Sequence, residues 1–322
     1  MEERISASAH PIQGLIKYHG LRDEKNRIPF HESISVCVGS LQTVTTVHFS
    51  RNYKSDHVTI NGRRAVSSEL SRVSRVVDSL RRRARTKIRS RIVSRNSLRG
   101  AKGVGFSASA FASLGLAASK ALGLELDLSE LAEIVRLGAG SATRSIVGGF
   151  SSWRFSKGVQ HTEGLASPKE LDLGMVIVPL QSPIKTDQVH RDVLKSPFFQ
   201  ARLRYLSNAI VQMRQAIGRR DVASVAELTE RDTLNLHAMT MTGDAGHILF
   251  SEESIRIMEH VKLIRRSGLP AWFSMDTGPT VFVNTSGRRV TTVARGLLSL
   301  GFTKLVTSRP GGKPRLVDFH LF

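Results

Sequence analysis

A glycine- and serine-rich turn, Gly103-Val104-Gly105-Phe106-Ser107-Ala108-Ser109-Ala110, leads into an Ala- and Ser-rich segment that we predict to be a helix over residues 106–122. Glycines let backbone amides approach an anion, and a helix N-terminus adds roughly half a positive charge. The turn is therefore a candidate phosphate-binding loop, formed by Gly103, Gly105, Ser107, Ala108 and Ser109. It is not a Walker loop, because no Gly-Lys-Ser/Thr closes it. Close helix packing explains the same small residues equally well.

Two further segments each place one charged residue among small or turn-forming residues. Arg144 lies in Gly138-Ala139-Gly140-Ser141-Ala142-Thr143-Arg144-Ser145, a setting that suits a guanidinium gripping a carboxylate or phosphate at two points. Asp276 follows a short apolar strand and precedes Gly278-Pro279, which places an acid at the mouth of a cleft. The alternatives are a tight turn with a surface arginine and an aspartate that caps a turn.

Positive charge is concentrated in one stretch. The chain has 47 Lys and Arg against 27 Asp and Glu, a net charge of +20, and residues 63–102 hold 14 basic and 2 acidic residues, or +12 of it. A nucleic-acid patch, a field that attracts a polyanionic small molecule and a solvated basic face all fit this pattern. Aromatic residues are scarce in the stretch, so the sequence makes nucleic acid an unlikely partner.

The cysteine content and hydropathy indicate the compartment. The single cysteine, Cys37, lies in an apolar stretch, which is typical of a buried, inert thiol. No apolar run approaches the ~18 residues of a membrane span, so we expect no membrane association. These features predict a cytoplasmic protein.

Hydrophobic periodicity divides the chain into two unlike halves. In the first half it predicts strands over 33–49, 57–62, 88–93, 147–154 and 174–179, and helices over 68–84, over 106–122 and from Asp127. In the second half it predicts helices over 199–217, 221–241, 251–266 and 288–300, and strands over 271–275, 280–284, 303–308 and 314–320. This order indicates an α+β protein with lobes at 1–182 and 183–322 and a cleft between them.

Six segments, in order and spacing, resemble the diphosphomevalonate decarboxylases of the GHMP-kinase superfamily. They are Lys17 to Gly20, 103–110, 138–149, Lys195 to Gln200, Asp232 to Ala238 and Asp276 to Pro279. Each segment is weakly specific alone, but together they cover roughly residues 10–285. The resemblance implies the two-lobed GHMP-kinase fold, an active site between the lobes and a carboxy-lyase of isoprenoid biosynthesis.

The resemblance also implies a role for each site residue. Asp276 would stand beside the 3-hydroxyl of mevalonate and stabilise positive charge at C3. Lys17 would support the departing phosphate, and Arg144 would hold the C1 carboxylate so that the breaking bond is aligned. The implied substrate-binding residues are Tyr18, Ser141, Lys185 and Thr186. No metal ligand in the protein is implied.

Several residues depart from the family pattern. Leu21 replaces a lysine, Ala139 a serine, and Lys185-Thr186 a Ser-Arg pair, so three polar contacts to a 5-diphosphate are changed. Phe106 replaces a small serine in the phosphate loop. Such departures resemble two archaeal variants. One acts on 5-phosphomevalonate with ATP, and the Thermoplasma type acts on mevalonate 3,5-bisphosphate without a nucleotide.

The changed phosphate loop favours the Thermoplasma type. We therefore expect ATP-independent conversion of mevalonate 3,5-bisphosphate to isopentenyl phosphate, carbon dioxide and phosphate, with no cofactor. The alternative is an ATP- and Mg²⁺-dependent diphosphomevalonate or phosphomevalonate decarboxylase. A different class, a basic nucleic-acid-binding protein on this fold, requires residues 63–102 to form one contiguous exposed stripe. The sequence leaves a homodimer open.

Overall fold

The computed structural model describes residues 3–98, 103–181, 184 and 186–322. Strands dominate the first half of the chain. Its elements are β1 (Ile5–Ala9), β2 (Ile12–Ile16), β3 (Leu21–Asp23), β4 (Ile28–Pro29), β5 (Ser33–Cys37), β6 (Thr43–Ser50), β7 (His57–Ile60), β8 (Arg63–Arg64), α1 (Ser67–Arg83), β9 (Arg89–Asn96), α2 (Phe106–Ala121), α3 (Leu128–Arg136), α4 (Ala142–Val147), β10 (Phe150–Ser156), β11 (Val159–Ala166) and β12 (Leu173–Val178).

Helices dominate the second half. Its elements are α5 (Thr186–Asp192), a 3-10 turn (Val193–Lys195), α6 (Phe199–Gly218), α7 (Val222–Thr242), α8 (Glu252–Arg266), β13 (Trp272–Ser274), β14 (Val281–Ser286), a second 3-10 turn (Gly287–Arg289), α9 (Val290–Ser299), β15 (Val306–Ser308) and β16 (Arg315–Val317). As the resemblance implies, the protein is of the α+β class.

The largest sheet has six strands in the order β16-β1-β6-β9-β7-β8. Its neighbouring strands pair antiparallel except β7 and β9, which run parallel. Along β9 exposed arginines alternate with buried residues, so one face of the sheet meets solvent and the other is covered. Phe49 of the covered face shares a core with Leu80 of α1 and Leu114 of α2.

Two four-stranded sheets complete the molecule, in the orders β11-β10-β5-β2 and β13-β14-β12-β15. Strand β2 is an edge strand of its sheet, yet every one of its residues is buried, because helices α6 and α7 contact it. Helix α7 also contacts β13, so it links β2 to the third sheet. Contact with the same helix therefore holds β2 and β13 close to each other.

The two halves of the chain exchange strands. Strand β12 pairs with β14 and β15, and β16 pairs with β1. A division into lobes at residues 182 and 183 stays a prediction, since each half supplies a strand to a sheet made mainly by the other.

The predicted helices agree with the structure to within about two residues at most ends, a scatter that is usual for helix boundaries. Asp127 caps α3 as predicted, because its carboxylate accepts the Glu130 amide at 2.8 Å. The strand predicted over 147–154 is wrong at its start, because α4 runs to Val147 and β10 begins at Phe150. Strands β1, β2 and β11 were not predicted; β1 is rich in Ala and Ser, which carry little strand preference.

Two bulk predictions can be compared with the structure. Cys37 is buried, and burial raises the pKa of its thiol to about 12, so the prediction of an inert thiol is confirmed. Within the described ranges, no helix is both long enough and apolar enough to cross a membrane.

Candidate functional site

One cavity of about 570 Å³ lies where β2, the glycine turn before α2, helix α4 and the segment after β13 meet. It brings together eight of the predicted site residues: Lys17, Tyr18, Gly103, Gly105, Ser107, Ser141, Arg144 and Asp276. Residues up to 259 positions apart in sequence therefore line the same cavity.

Asp276 stands just beyond β13 with one carboxylate oxygen unused. Its Oδ2 accepts the Gly14 amide at 3.2 Å, while Oδ1 has no hydrogen-bond partner among the described residues. A Cβ on Gly14 would lie 3.0 Å from that Oδ1, so only glycine leaves the carboxylate this position. Burial raises the pKa of Asp276, and the nearby Lys17 ammonium opposes the rise.

Lys17 follows the last residue of β2 and is 4% exposed. Its Nζ donates to the Gly14 carbonyl at 2.9 Å and to Ser274 Oγ at 3.1 Å, and lies 3.9 Å from Asp276 Oδ1. Burial lowers the pKa of this ammonium, and the Asp276 carboxylate partly restores it. Lys17 and Asp276 thus form an ion pair at the cavity wall, in which each charge stabilises the ionised form of the other against the cost of burial.

The backbone of Lys17 is gripped by a second ion pair. Its amide donates to Asp232 Oδ2 at 2.8 Å, and its carbonyl accepts Arg202 Nη2 at 2.7 Å. The two gripping side chains lie on α7 and α6 and form a salt bridge of 3.1 Å, with exposures of 0% and 1%. This clamp fixes the end of β2 and hence the lysine.

Arg144 lies in the short helix α4 and is 2% exposed. Its guanidinium carbon lies 5.3 Å from the Tyr18 ring centre and 5.8 Å from that of Trp153. Among the described residues, no carboxylate pairs with it, and its Nε has no hydrogen-bond partner. Burial lowers its pKa to about 10, which still leaves it cationic at neutral pH. An enclosed guanidinium without a counter-charge is suited to bind an anionic group of a ligand.

Aromatic rings form the wall beside Arg144. The Tyr18 and Trp153 rings meet edge to face, with centroids 5.1 Å apart. A Cβ on Gly140 would lie 2.7 Å from the Tyr18 hydroxyl, so this glycine lets the tyrosine enter the wall. Ser141 follows at the start of α4 and also lines the cavity.

The glycine turn lies across the cavity from this wall. Gly103 and Gly105 both have positive φ angles, 82° and 78°, which favour glycine. A Cβ on Gly103 would lie 3.2 Å from the Gly278 backbone, and one on Gly105 would collide with the Ile12 carbonyl. No side chain caps α2, and Ser107 is exposed in its first turn. The amides of this turn therefore remain available to an anion.

Two predicted phosphate contacts are wrong. Ser109 is fully buried, and its hydroxyl bonds to Thr43 Oγ1 at 2.7 Å, on the sheet side of α2. Ala108 is buried against Ile12 and Cys37, and its amide donates to the Gly105 carbonyl. The helix rotates both residues away from the cavity. Lys185 and the side chain of Thr186 lie outside the described residues.

Four residues beside the cavity were not assigned a role from the sequence: His19, His190, Arg202 and Asp232. His19 and Asp232 fall inside segments that carry the family resemblance. For Arg202, on α6, and His190, on α5, we find no sequence pattern that would have shown them.

Most of the described basic residues of the stretch 63–102 are exposed, among them Arg89, Arg91 and Arg95 on β9, but not all are unpaired. Arg81 is buried and pairs with Asp56 and Asp78, while Arg63 and Arg83 pair with Glu69 and Glu130. Arg99 and Lys102 lie outside the described residues. The nucleic-acid-binding alternative therefore stays a prediction.

Comparisons with known proteins identify the family. The model of the diphosphomevalonate decarboxylase-like N-terminal domain matches residues 9–166, and that of the mevalonate 5-diphosphate decarboxylase C-terminal domain matches residues 184–307. The phosphomevalonate decarboxylase of Haloferax volcanii is 36% identical over 303 residues, covering 92% of this chain and 93% of that protein.

Solved structures extend the likeness to the fold. Mevalonate diphosphate decarboxylase from Staphylococcus aureus superposes with a TM-score of 0.92 at 29% identity, covering 99% of both chains. The Enterococcus faecalis enzyme, in a structure on its mevalonate diphosphate-mediated ATP binding, has a TM-score of 0.90 at 29% identity, covering 98% and 99%. The expected GHMP-kinase fold is confirmed. The chain therefore belongs to the diphosphomevalonate decarboxylase family, the carboxy-lyases that act on phosphorylated mevalonate.

Proposed function

We propose that the chain converts 5-phosphomevalonate and ATP to isopentenyl phosphate, carbon dioxide, ADP and phosphate. The observation that carries this proposal is the continuity of the cavity. It runs from Arg144 and Asp276, past the glycine turn, into an arm beside β7 and β9. One end suits a small carboxylate-bearing substrate, and the other leaves room for a second substrate with phosphates at the turn.

The arm beyond the turn has the character of a base-binding site. Its walls include the apolar side chains Val58, Ile60, Ile92 and Leu98. Asn61 and Asn96 add amides: Asn61 Oδ1 accepts the backbone N–H of Asn96 at 2.8 Å and Asn96 Oδ1 accepts the Thr43 hydroxyl at 2.8 Å, which leaves their Nδ2 groups to a ligand. Apolar walls with a few fixed polar groups are typical of cofactor and nucleotide sites.

Phe106, the reason to doubt nucleotide binding, does not argue strongly against it here. Its side chain is half-buried and packs with Leu98 against the core of the second sheet. The cavity continues on the far side of it. The Haloferax volcanii and Enterococcus faecalis relatives support the same choice, since one is named for phosphomevalonate and the other binds ATP.

The chemistry assigned to the site follows from its charges. The 3-hydroxyl of the substrate would lose its proton to solvent and receive the γ-phosphoryl group of ATP as ADP leaves. The C3–O bond then breaks with its electron pair going to phosphate, and the electrons of the C1–C2 bond form the C2=C3 double bond as carbon dioxide leaves. Positive charge develops at C3, where the carboxylate of Asp276 in the cavity wall would stabilise it.

The other residues would bind and align. Lys17 Nζ, held 3.9 Å from Asp276, would neutralise charge on the 3-oxygen as the phosphate departs. Arg144 would hold the C1 carboxylate at two points, which keeps the breaking bond in line. Tyr18 and Ser141 would contact the substrate, as would Lys185 and Thr186. Gly103, Gly105 and Ser107 would bind the ATP phosphates, which themselves supply most ligands of Mg²⁺ in such sites.

The experiment measures carbon dioxide from three reactions: 5-phosphomevalonate with ATP and Mg²⁺, the same substrate without ATP, and mevalonate 3,5-bisphosphate alone. We expect 5-phosphomevalonate to be turned over only with ATP, with one ADP per carbon dioxide. Mevalonate 3,5-bisphosphate is the intermediate of that reaction, so its decarboxylation alone does not decide between the two functions. Turnover of the bisphosphate without nucleotide, and none of 5-phosphomevalonate, would instead establish the Thermoplasma-type reaction that the Phe106 substitution favours.

A further inference from the structure

Two histidines line the end of the cavity beside Tyr18. His19 follows the clamped Lys17–Tyr18 segment, and His190 comes from α5, more than 170 residues later. Their ring centroids lie 4.5 Å apart. The His190 ring also stacks on Tyr18, with centroids 5.1 Å apart. The stack Tyr18–His190–His19 thus extends the wall that begins at Arg144.

His19 is held in this wall without a hydrogen-bond partner. It is 5% exposed, and its Nδ1 is enclosed and unbonded among the described residues. Its Nε2 has no partner among them either but is not enclosed, which leaves it as the ring nitrogen open to the cavity. Buried polar groups are rarely left unsatisfied, so an unbonded imidazole in a cavity wall points to a ligand that bonds it.

The charge of this end of the cavity depends on the same two rings. Arg144 faces the position proposed for the carboxylate, and Lys17 faces Asp276. The other arginines that line the cavity, Arg63 and Arg72, belong to β8 and α1. Among the described lining residues, the His19 imidazole is therefore a basic group without a hydrogen-bond partner that could offset a phosphate bound beside Tyr18.

We propose that His19 and His190 form the subsite for the 5-phosphate, and that His19 takes up one proton from solvent when this phosphate binds. The inference rests on the proposed function in requiring a substrate that carries a phosphate at C5. It does not require ATP.

The proton uptake follows from the surroundings of His19. Without ligand, burial lowers the pKa of His19 well below its usual value, and positive neighbours add to the effect. The charged and titratable groups that face it are Tyr18 on its own segment, His31 after β4, His190 on α5, Arg202 on α6 with its partner Asp232, and His237 on α7. The ring is thus neutral at pH 7.5 in the free enzyme.

A phosphate monoester is mostly a dianion at that pH, because its second pKa is about 6. Placed beside Nε2, it favours the imidazolium and raises the pKa of His19. Since the proton is bound only in the complex, affinity rises as the pH falls from about 8 towards 6.5, until the phosphate itself is protonated.

The pair also favours a monophosphate over a diphosphate. An imidazolium fixed by stacking offers one short donor, whereas a diphosphate needs further cations for its second phosphate. In this chain Leu21 stands where the family has a lysine. The histidine pair therefore matches the shorter, less charged group.

The test is calorimetric titration of the full chain with 5-phosphomevalonate, without nucleotide, at pH 7.5 in HEPES and in Tris, which differ in ionisation enthalpy. We expect the wild-type chain to take up about one proton for each substrate bound. His19→Gln should abolish the uptake and weaken binding by about tenfold or more, the value of a charged hydrogen bond. Binding of unphosphorylated mevalonate should not change. His161→Gln, at an exposed position of β11, is the matched control and should behave as wild type.

Undiminished proton uptake in His19→Gln, or an equal loss of affinity for mevalonate and 5-phosphomevalonate, would overturn the inference. His190→Gln is the second variant. It should weaken binding of 5-phosphomevalonate but not of mevalonate, and wild-type affinity would rule His190 out of the subsite. The ATP proposal can fail separately, because mevalonate 3,5-bisphosphate carries the same 5-phosphate and should show the same proton uptake.

Discussion

Two buried ion pairs converge on Lys17 and differ in how they are completed. Arg202 and Asp232 face each other at 3.1 Å, and both also bond the Lys17 backbone. Lys17 and Asp276 are 3.9 Å apart, and both line the cavity. The first pair is closed, because both members bond the chain and neither lines the cavity, while the second is open to a ligand at the cavity wall.

The difference separates stability from chemistry. A closed pair holds the fold, because removing either member leaves a buried charge alone. An open pair holds charges in place before the reaction begins, at a cost to the folded state, and that arrangement stabilises a transition state. The end of β2 carries both, so the closed pair positions the open one.

The strongest disturbance should come from the closed pair. Asp232→Asn leaves the Arg202 guanidinium buried without its counter-charge and keeps only one side-chain oxygen to accept the Lys17 amide. We expect a loss of about 3–5 kcal/mol in the free energy of unfolding, measured with urea. Glu227→Gln, which breaks the exposed Arg231 pair on the same helix, should cost less than about 1 kcal/mol. Similar losses in both variants would erase the distinction between closed and exposed pairs.

A substitution in the open pair should instead reduce the rate of catalysis. Asp276→Asn keeps the size of the side chain but removes its charge, so we expect carbon dioxide release to fall on the order of 10²–10³-fold or more. The thermal midpoint should fall less than in Asp232→Asn, because Lys17, whose pKa burial already lowers, can release its proton. Asp244→Asn, which alters an exposed carboxylate, is the control and should retain full activity. Near wild-type turnover of Asp276→Asn would remove this residue from the site.

Arg144 sharpens the comparison, because it is a buried cation with no carboxylate partner among the described residues. Arg144→Lys should be nearly as harmful as Arg144→Ala, with turnover reduced about ten- to a hundredfold, because an ammonium lacks the planar two-point grip. Steady-state kinetics of both variants provide the measurement. A lysine variant that keeps most activity would reduce Arg144 to a general positive charge.

The smallest effect on the free energy of unfolding is expected when both members of the open pair are neutralised. Burial raises the pKa of Asp276 and lowers that of Lys17, so each ionised form is disfavoured by the fold. Lys17→Met combined with Asp276→Asn should therefore be inactive yet within about 1 kcal/mol of wild-type stability, or more stable. Lys17→Met alone, which leaves the carboxylate without its cation, should be the less stable of the two. The reverse order would mean that the pair is structural.

Sequence patterns predicted the features that depend on local periodicity or on a short motif. The helices α6, α7 and α8 follow from apolar spacing, and Lys17, Arg144 and Asp276 from motif residues beside glycines. Their meeting in one cavity was implied by the family resemblance, since no local pattern relates residues so far apart.

The features of the site that could not be predicted from the sequence depend on long-range packing. Arg202 and Asp232 are 30 residues apart on different helices, and they gain their role only where both reach the end of β2. The orientation of Ser109 depends on which face of α2 meets β6, and a serine on an Ala-rich helix leaves that face unmarked. His190 becomes part of the cavity wall only once α5 lies against the Tyr18 ring.

The pairing of β16 with β1 has a consequence for synthesis on the ribosome. Strand β1 emerges among the first residues, but its outer neighbour, with Val317 opposite Ser6, is made some 300 residues later. Until then β1 presents an open edge to other nascent chains, which invites aggregation. A chain released before residue 315 would keep that edge permanently, so products that stop short of β16 should be the ones that most need a chaperone.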